Sequence, residues 1–401
     1  MQKGDRTDGG TVECGDRARS LLQQFWGYGD FREGQAEIVE ALRSGRDALI
    51  VMPTGGGKSI CFQVPALLQP GLTIVLSPLV ALMENQVQEL RDRKIPAALL
   101  HSQLERSQRQ RILQAVEQQR LKLLYLSPET LLSPAVWQLL CQPQVQISCL
   151  VLDEAHCLSQ WGDSFRPTYF RLGAVRSALL QHKPAGSHIT IAAFTATADP
   201  TAQATITHIL RLQNPQLFKQ NPFRPNLAIQ IQRVWTPHDR RHQLLQFIQS
   251  RKNSVGQPSA GLVYVRSRQD SEDLALWLRQ QNYQTAAYHA GLTATERRQI
   301  EQNWISDRLQ FVVSTNAFGM GVNKPNVRWV VHYHLPLLLS EYVQEIGRAG
   351  RDGQPAQVLS LASESTGWLD PADRQRWQFF QQQSQQQRDR AKQLLKKLPN
   401  A

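Results

Sequence analysis

The feature that most constrains the fold is a series of short runs in which almost every residue is apolar. In the first half of the chain these runs lie at 47–52, 73–77, 122–127, 148–153 and 190–195. A strand with one exposed face alternates apolar and polar residues, so continuous runs predict strands that are covered on both faces. Helical patterns such as the one at 105–120 separate the runs. The alternation therefore predicts a parallel α/β sheet.

A second series of strands and helices follows in the second half of the chain. Its apolar runs lie at 261–265, 285–289, 311–315, 329–333 and 357–362, with helical patterns at 271–281 and 295–306. Prolines and asparagines cluster around 214–227, which is typical of a linker. The 401 residues are therefore predicted to form the following parts: a disordered tail (1–19), two α/β lobes (20–222 and 223–365) and a polar helical tail (366–401).

Charge and cysteine content narrow the class of protein. The formal net charge of +12 favours polyanionic partners, and nucleic acid is the leading class of partner. A basic protein that is merely soluble would have the same charge. The five cysteines lack the spacing of a zinc knuckle, and their odd number suits reduced thiols. No apolar run is long enough to span a membrane, and the first residues lack the apolar core of a secretory signal. We therefore expect a cytoplasmic protein.

A glycine-rich turn, PTGGGKS, joins the first apolar run to a helical pattern. Glycines without Cβ atoms let backbone N–H groups converge on phosphate oxygens, and the start of a helix favours anions. In such a loop Lys58 reaches the β- and γ-phosphates and Ser59 ligates Mg²⁺. Met52 stands where the strict pattern begins with glycine. The residues predicted to bind the nucleotide phosphates are Thr54, Gly55, Gly56, Gly57, Lys58 and Ser59.

Two adjacent acids, Asp153 and Glu154, come at the end of the buried run at 148–153. Ligands of a parallel sheet bind at the carboxyl ends of its strands, so we expect this pair beside the phosphate loop. Asp153 is predicted to hold Mg²⁺ through water, and Glu154 to polarise the attacking water. Without a phosphate loop upstream, an exposed acidic turn would be the better interpretation.

The order of several segments resembles that of superfamily-2 helicases, and specifically of the RecQ family. The matching segments are GYGDFREGQ, MPTGGGKSICFQVPAL, SPLVALMENQ, DEAHCLSQWG, FTATA, VYVRSR, YHAGL, STNAFGMGVNKPNVRWVVH and QEIGRAGRDG. The resemblance covers roughly residues 20–362. It implies two tandem RecA-like lobes with the nucleotide cleft between them, and ATP with Mg²⁺ as cofactors. No cysteine follows Cys157, so no zinc is expected.

The resemblance also assigns roles around the nucleotide. It places Tyr28, Arg32 and Gln35 on the adenine. The first two side chains can stack on a base, and the Gln35 amide matches the adjacent donor and acceptor of adenine. In the second lobe it implies that Arg351 acts as a finger on the γ-phosphate, together with Arg348. Gln344 is expected to orient the water or the arginines.

A third group of residues is implied to contact DNA. The loop SQWGDSFRP carries Trp161 and Phe165, which can stack on bases of a single strand, and Arg166, which can pair with phosphate. Asp163 and Ser164 stand where the family usually has a His-Asp pair, so coupling to DNA is expected to be weaker or differently tuned. The other implied DNA contacts are Thr195, Ser267, Arg268, His289 and Thr315.

The resemblance implies an ATP-dependent 3′–5′ DNA helicase with DNA-stimulated ATP hydrolysis, acting in repair or recombination. We expect a monomer, associated with the nucleoid, that binds single-stranded and forked DNA and works with single-strand-binding or repair proteins. Few residues follow the last motif, so zinc-binding, winged-helix and further helical modules are not expected. The segment 366–401 is interpreted as a remnant of the helices of the zinc-binding module. Two alternatives stay open: an annealing or binding ATPase with little unwinding, and, ranked lower, an RNA helicase.

Overall fold

The chain divides into two compact units, Met1–Phe223 and Arg224–Ala401. The computed structural model describes residues 9–53, 55–78, 80–160, 167–251, 259–318 and 324–363, together with 373 and 378. Each unit is built around one parallel sheet flanked by helices. The predicted pair of parallel α/β lobes is confirmed.

The first unit contains a seven-stranded sheet with the order β3-β4-β2-β5-β6-β1-β7. Its strands are β1 (Ala48–Val51), β2 (Leu72–Leu76), β3 (Ala97–Leu100), β4 (Leu123–Leu126), β5 (Ile147–Leu152), β6 (Thr190–Thr195) and β7 (Gln216–Lys219). Alternate residues of β5 enter different cores, because Leu150 packs in one apolar cluster and Val151 in the other. Burial on both faces explains why the run is continuously apolar.

Helices cover both faces of this sheet. They are α1 (Gly9–Trp26), α2 (Gln35–Arg43), α3 (Lys58–Leu68), α4 (Val80–Asp92), α5 (Arg106–Glu117), α6 (Pro128–Leu131), α7 (Pro134–Cys141), α8 (Cys157–Gln160), α9 (Pro167–Phe170), α10 (Leu172–Leu180) and α11 (Pro200–Leu210). The prediction of a disordered tail over 1–19 is wrong for residues 9–19, which belong to α1. This helix is held because Ala18 and Leu22 pack against Val39 and Val64.

The second unit contains a six-stranded sheet with the order β10-β11-β9-β12-β13-β8. Its strands are β8 (Leu227–Val234), β9 (Gly261–Tyr264), β10 (Thr285–Tyr288), β11 (Phe311–Ser314), β12 (Trp329–His332) and β13 (Ala356–Ser363). Its helices are α12 (Pro237–Gln249), α13 (Arg268–Gln280), α14 (Ala294–Ile305) and α15 (Leu339–Ile346). As in the first unit, neighbouring residues such as Val330 and Val331 enter cores on opposite faces.

The predicted linker at 214–227 is wrong over part of its length. Residues 216–219 form β7, which pairs with β1 from Ala48↔Gln216 to Val51↔Lys219. Leu227 begins β8, which pairs with β13 along its whole length. The proline-rich connection is therefore confined to about the segment 220–226. Pairing with a strand that is distant in sequence overrides the local turn signals.

Strand order brings distant loops to one edge of each sheet. In the first unit β6 lies between β1 and β5, so the segments that follow these strands meet at the carboxyl edge. Backbone bonds fix this arrangement, since Met52 N–H donates to Thr195 O at 2.9 Å and Ala155 N–H to Phe194 O at 2.8 Å. In the second unit the segments after β9, β10 and β11 are neighbours in the same way.

Several predictions concern features outside this sheet framework. Within the described ranges, no helix combines the length and the apolar character that crossing a bilayer requires. In the part of the chain that the structure describes, Cys61, Cys141, Cys149 and Cys157 are not joined in disulfides. The predicted polar helical tail at 366–401 lies outside the described residues, except for Asp373 and Gln378.

Candidate active site

The glycine turn lies between β1 and α3, as the sequence predicts. Gly57 precedes α3 with φ +83°, and Gly55 has φ +84°. A Cβ atom on Gly57 would lie 2.4 Å from Nε2 of Gln35. Glycine is therefore required at this position by both backbone conformation and space. Lys58 and Ser59 occupy the first turn of α3, while Thr54 lies outside the described residues.

The predicted adenine segment packs directly against this turn. The buried Gln35 amide donates from Nε2 to Gly56 O at 3.0 Å and to Gly57 O at 3.3 Å. Its Oε1 accepts from Arg32 N–H at 2.9 Å, and Arg32 Nη1 donates to Gly55 O at 2.9 Å. The structure thus brings the adenine and phosphate segments together. The Tyr28 side chain is 51% exposed, which leaves its ring accessible for stacking.

The acid pair follows β5 and faces the same turn. Oε1 of Glu154 lies 3.9 Å from Nζ of Lys58, and both side chains are largely buried. Glu154 itself has φ +54°, a conformation that is uncommon for a residue with a side chain. Such strain concentrates at functional sites, and here it accompanies a carboxylate held beside the phosphate-loop lysine.

Asp153 is the more deeply buried acid. Burial raises the pKa of Asp153 to about 6, and repulsion from Glu154 adds to the effect, while attraction to Lys58 opposes it. Its Oδ1 accepts from Glu154 N–H at 3.0 Å. A divalent cation would offset both the burial and the repulsion, and the Asp153 carboxylate and the Ser59 hydroxyl are oxygen ligands of the kind that Mg²⁺ prefers.

His156 belongs to this site, and the sequence analysis did not identify it. Its Nδ1 lies 3.3 Å from Oε2 of Glu154 and 3.3 Å from Oγ1 of Thr195. Thr195, predicted as a DNA contact, is fully buried, and its hydroxyl also donates to Thr197 O at 2.9 Å. The structure therefore directs Thr195 towards the acid pair. The only signal available in the sequence was the position of the histidine two residues after Glu154.

The predicted arginines follow α15 in the second unit. Burial lowers the pKa of Arg351 to about 10, and repulsion from Arg348 and Arg224 contributes in the same direction. Burial raises the pKa of Tyr264 to about 12, against the opposing charge of Arg348. Guanidinium groups gathered in a desolvated place are stabilised by an anion, and a bidentate match to phosphate is the usual one. Gln344 lies half-buried on the last turn of α15.

A buried polar network packs against α15, the helix that precedes these arginines, and no local pattern in the sequence indicates it. Nε2 of His332 lies 3.1 Å from Oε2 of Glu345, which is on α15. Nδ1 of His332 lies 3.1 Å from the hydroxyl of Ser360, and the Tyr342 hydroxyl lies 3.1 Å from the same oxygen. The network joins β12, β13 and α15 and thereby fixes the helix that precedes the arginines.

Comparisons with known proteins agree with this site. Residues 32–205 match the DEAD/DEAH box helicase family, and residues 239–353 match the helicase conserved C-terminal domain. The ATP-dependent DNA helicase RecQ of Synechocystis sp. is 52% identical over 379 residues, which covers 94% of this chain and 78% of that protein. The chain belongs to the RecQ family of ATP-dependent DNA helicases.

Other RecQ relatives are longer than this chain. RecQ of Pasteurella multocida is 39% identical, and the match covers 88% of this chain but 53% of that protein. The probable ATP-dependent DNA helicase RecS of Bacillus subtilis is 39% identical over 86% of this chain and 66% of its own length. The chain thus spans about half the length of the Pasteurella relative.

Solved structures share the fold at low sequence identity. The helicase MrfA bound to DNA is 18% identical with a TM-score of 0.70, and the match covers 91% of this chain and 52% of that one. Dbp5 of Saccharomyces cerevisiae, bound to RNA and ADP BeF3, is 17% identical with a TM-score of 0.66 over 86% of this chain and 87% of its own. These matches support the tandem helicase fold alone.

The RecQ resemblance predicts DNA contacts in the second unit at Ser267, Arg268, His289 and Thr315. The structure places these residues on neighbouring segments, since they follow β9, β10 and β11. Arg268 is exposed, whereas Thr315 is buried. Of the two, Arg268 has the side chain that a phosphate can reach.

Two of these residues, Ser267 and His289, already make hydrogen bonds within the second unit. Oγ of Ser267 accepts from Asp270 N–H at 3.0 Å, so Ser267 caps α13. The buried His289 ring lies 2.9 Å from Glu272 through Nε2 and accepts from Gly291 N–H at 3.2 Å through Nδ1. Both ring nitrogens are thus already bonded. The aromatic-loop residues Trp161, Phe165 and Arg166, with Asp163 and Ser164, lie outside the described residues.

Proposed function

We propose that this chain is a DNA-stimulated ATPase that moves 3′ to 5′ on single-stranded DNA and separates duplexes during repair or recombination. The observation that carries the proposal is the distance of 3.9 Å between the Lys58 ammonium and the Glu154 carboxylate, at the sheet edge where the glycine turn begins. The DNA helicase names of its relatives support DNA as the polymer. Polarity and pathway rest on family resemblance.

The roles of the first-unit residues follow from their positions. Lys58 neutralises charge on the β- and γ-phosphates, and the backbone N–H groups of the glycine turn hold their oxygens. Glu154 accepts a hydrogen bond from the attacking water and polarises it, while His156 keeps the Glu154 carboxylate in place. Ser59 and Asp153 would hold Mg²⁺, which supplies charge neutralisation at the phosphates when it is bound.

The second-unit arginines complete the proposed chemistry. Arg351 stabilises the negative charge that develops on the γ-phosphoryl oxygens, and Arg348 supports it. Their clustering in a desolvated place, which lowers the pKa of Arg351, makes the arginines more stable when an anion is near. Gln344 is proposed to orient the water or the guanidinium groups.

Replacing Gln35 by alanine is expected to raise KM for ATP about tenfold, because its amide aligns the glycine turn. The proposed adenine role requires this amide to exchange its present bonds for the base, and it adds a loss of the preference for ATP over GTP. The measurement is steady-state hydrolysis of both nucleotides. Gln69→Ala is the matched control, because the Gln69 amide donates to Leu42 O and Arg43 O at the opposite end of α2. A Gln35→Ala enzyme with unchanged KM and selectivity would contradict the adenine role.

Replacing Trp161 by alanine is expected to leave basal hydrolysis unchanged and to abolish its stimulation by single-stranded DNA. The reason is that base stacking on an aromatic ring contributes about 1–3 kcal/mol per base. The experiment compares ATP hydrolysis with and without an oligodeoxynucleotide. Trp235→Ala is the control, because Trp235 is an exposed tryptophan of the second unit. Full stimulation in Trp161→Ala would remove the aromatic loop from the mechanism.

Two further assays distinguish the alternatives. Stimulation by RNA equal to that by DNA would favour an RNA helicase. Strand annealing without ATP, combined with negligible duplex separation, would favour an annealing or binding ATPase. A preference for DNA together with ATP-dependent separation of a forked duplex supports the proposed motor.

A further inference from the structure

The connection between the two units is anchored at its first end to the nucleotide segments. Gln220 follows β7, and its backbone N–H donates to Val51 O at 2.9 Å, just ahead of the glycine turn. Its side-chain Nε2 donates to Glu33 O at 2.6 Å, in the adenine segment. Cβ atoms built on Gly34 and Gly56 would lie 2.9 Å from Nε2 and 3.5 Å from Oε1 of Gln220. Gln220 therefore touches both the adenine segment and the phosphate turn.

The other end of the connection is anchored to the loop that carries the arginines. Nη2 of Arg224 donates to Gly350 O at 2.5 Å and to Ala349 O at 3.3 Å. Nδ2 of Asn226 donates to the same Gly350 oxygen at 2.9 Å and to Gln354 O at 2.9 Å. The carbonyl that accepts two of these bonds belongs to the peptide that leads into Arg351. Because Gly350 has φ +58°, these bonds hold an unusual backbone conformation.

The residues between the two anchors form a short and stiff segment. Asn221, Pro222 and Phe223 separate Gln220 from Arg224. Oδ1 of Asn221 accepts from Phe223 N–H at 2.9 Å, which closes a local turn around the proline. Pro222 and Pro225 each have a fixed φ angle. Each also restricts the backbone of the residue before it, which is Asn221 for the first proline and Arg224 for the second. The backbone of this segment is therefore restricted at several consecutive residues.

We propose that residues 220–226 are a coupling connector, which ties the position of the arginine loop (348–351) to the occupancy of the nucleotide segments. Gln220, Arg224 and Asn226 are thus positioning residues that touch no substrate. When a nucleotide reorders the adenine segment and the glycine turn, Gln220 transmits the change along the connector, and Arg224 with Asn226 passes it to the Gly350 peptide. This inference rests on the proposed ATPase function.

The direct test lengthens the connector and leaves both anchors intact. A Gly-Ser-Gly-Ser insertion between Pro222 and Phe223 is expected to lower kcat for DNA-stimulated ATP hydrolysis about tenfold, because a flexible insert lets the two anchors move independently. The affinity for mant-ADP and KM for ATP should stay within about twofold, since the first-unit contacts remain. The control is the same insertion after Gly186, which lies in an exposed turn with open space around it. It should leave kcat, KM for ATP and the affinity for mant-ADP unchanged.

A second test avoids any change in chain length. Arg224→Lys keeps the charge but loses the planar guanidinium, in which Nη2 donates to Gly350 O and Ala349 O while Nε donates to Asn226 Oδ1. A single ammonium cannot make all three bonds from that position, so kcat should fall by about fivefold to tenfold with an unchanged melting temperature. In the double variant with Gln220→Ala the two effects on kcat should combine to less than their product, because both act through one connector. Wild-type kcat in the insertion or in Arg224→Lys, or fully multiplicative effects, would overturn the connector.

The outcome is separable from that of the proposed function. The function fails if Lys58→Ala hydrolyses ATP as the wild type does. The connector fails if Lys58→Ala is inactive as expected while the lengthened connector retains full kcat. A loss of mant-ADP affinity in the lengthened variant would also count against it, because it would place the insertion within the nucleotide site.

Discussion

Replacing Lys58 by alanine is expected to lower the rate of ATP hydrolysis by at least about 100-fold, with or without DNA. Removing one preorganised charge from a desolvated site typically has an effect of this size. Lys58 is the cation that the structure places beside the Glu154 carboxylate, at 3.9 Å, on the first turn of the helix that follows the glycine turn. Without it the phosphate charge and the carboxylate would repel each other directly.

Two further variants make this result specific. Lys94→Asn removes an equal charge from an exposed turn that precedes β3, at the opposite edge of the sheet, and asparagine tolerates its φ of +60°. It should retain wild-type turnover. Glu154→Gln should retain affinity for mant-ADP while losing turnover, which separates polarisation of the water from phosphate binding. If Lys58→Ala keeps more than about a tenth of wild-type kcat, Lys58 does not have the role assigned to it.

The central strands of both sheets could be predicted, because strands that are buried on both faces have continuous apolar runs in the sequence. Of the four edge strands, β10 was predicted from its run at 285–289, whereas β3, β7 and β8 were not. β7 and β8 expose alternate or consecutive residues and lie next to prolines and asparagines. β7 falls within the segment interpreted as a linker, and β8 beyond Leu227 was not predicted. Their strand conformation comes from pairing with β1 and β13, partners that are distant in sequence. β3, which was also missed, is the edge strand at the other side of the first sheet.

The same distinction applies to the site. The glycine turn is one contiguous segment of the sequence, and the acid pair is another. The rule that ligands bind at the carboxyl ends of parallel strands was enough to expect the two segments close together. The approach of His156 to both Glu154 and Thr195 depends on the order of β5 and β6. The network around His332 and the anchors of the connector depend on side chains from three or more elements. No local pattern encodes such contacts, so the structure was required to find them.

Replacing Asp373 by alanine is expected to destabilise the second unit by about 3–5 kcal/mol, because it leaves a buried guanidinium without its counter-charge. Asp373 and Arg240 are each 1% exposed, and Oδ2 of Asp373 lies 3.1 Å from Nη2 of Arg240. The same oxygen accepts from Ser363 N–H at 2.9 Å, and Oδ1 lies 3.4 Å from Nη2 of Arg266. Arg240 also donates to Tyr333 O and Leu361 O, and neutral carbonyl oxygens do not neutralise a charge.

Chemical denaturation at several pH values tests this prediction. Burial acts to raise the pKa of Asp373, but the Ser363 N–H bond and the Arg240 charge outweigh it, so the folded pKa lies below the usual value. A depressed pKa contributes stability that is present above the unfolded pKa, about 3.9, and is lost as pH falls through the folded pKa. The stability difference between wild type and Asp373→Ala should therefore be constant near neutrality and shrink below about pH 4.

Asp352→Ala provides the comparison that separates burial from ion pairing. Oδ2 of Asp352 lies 2.5 Å from Nη2 of Arg328, but both side chains are about a quarter to a third exposed. Water can solvate Arg328 after the change, so the expected loss is at most about 1 kcal/mol. An equal loss of unfolding free energy in the two variants would mean that water reaches the Arg240 side chain in Asp373→Ala. A large loss confined to Asp373→Ala would show that the second unit needs a residue that lies well beyond its last strand.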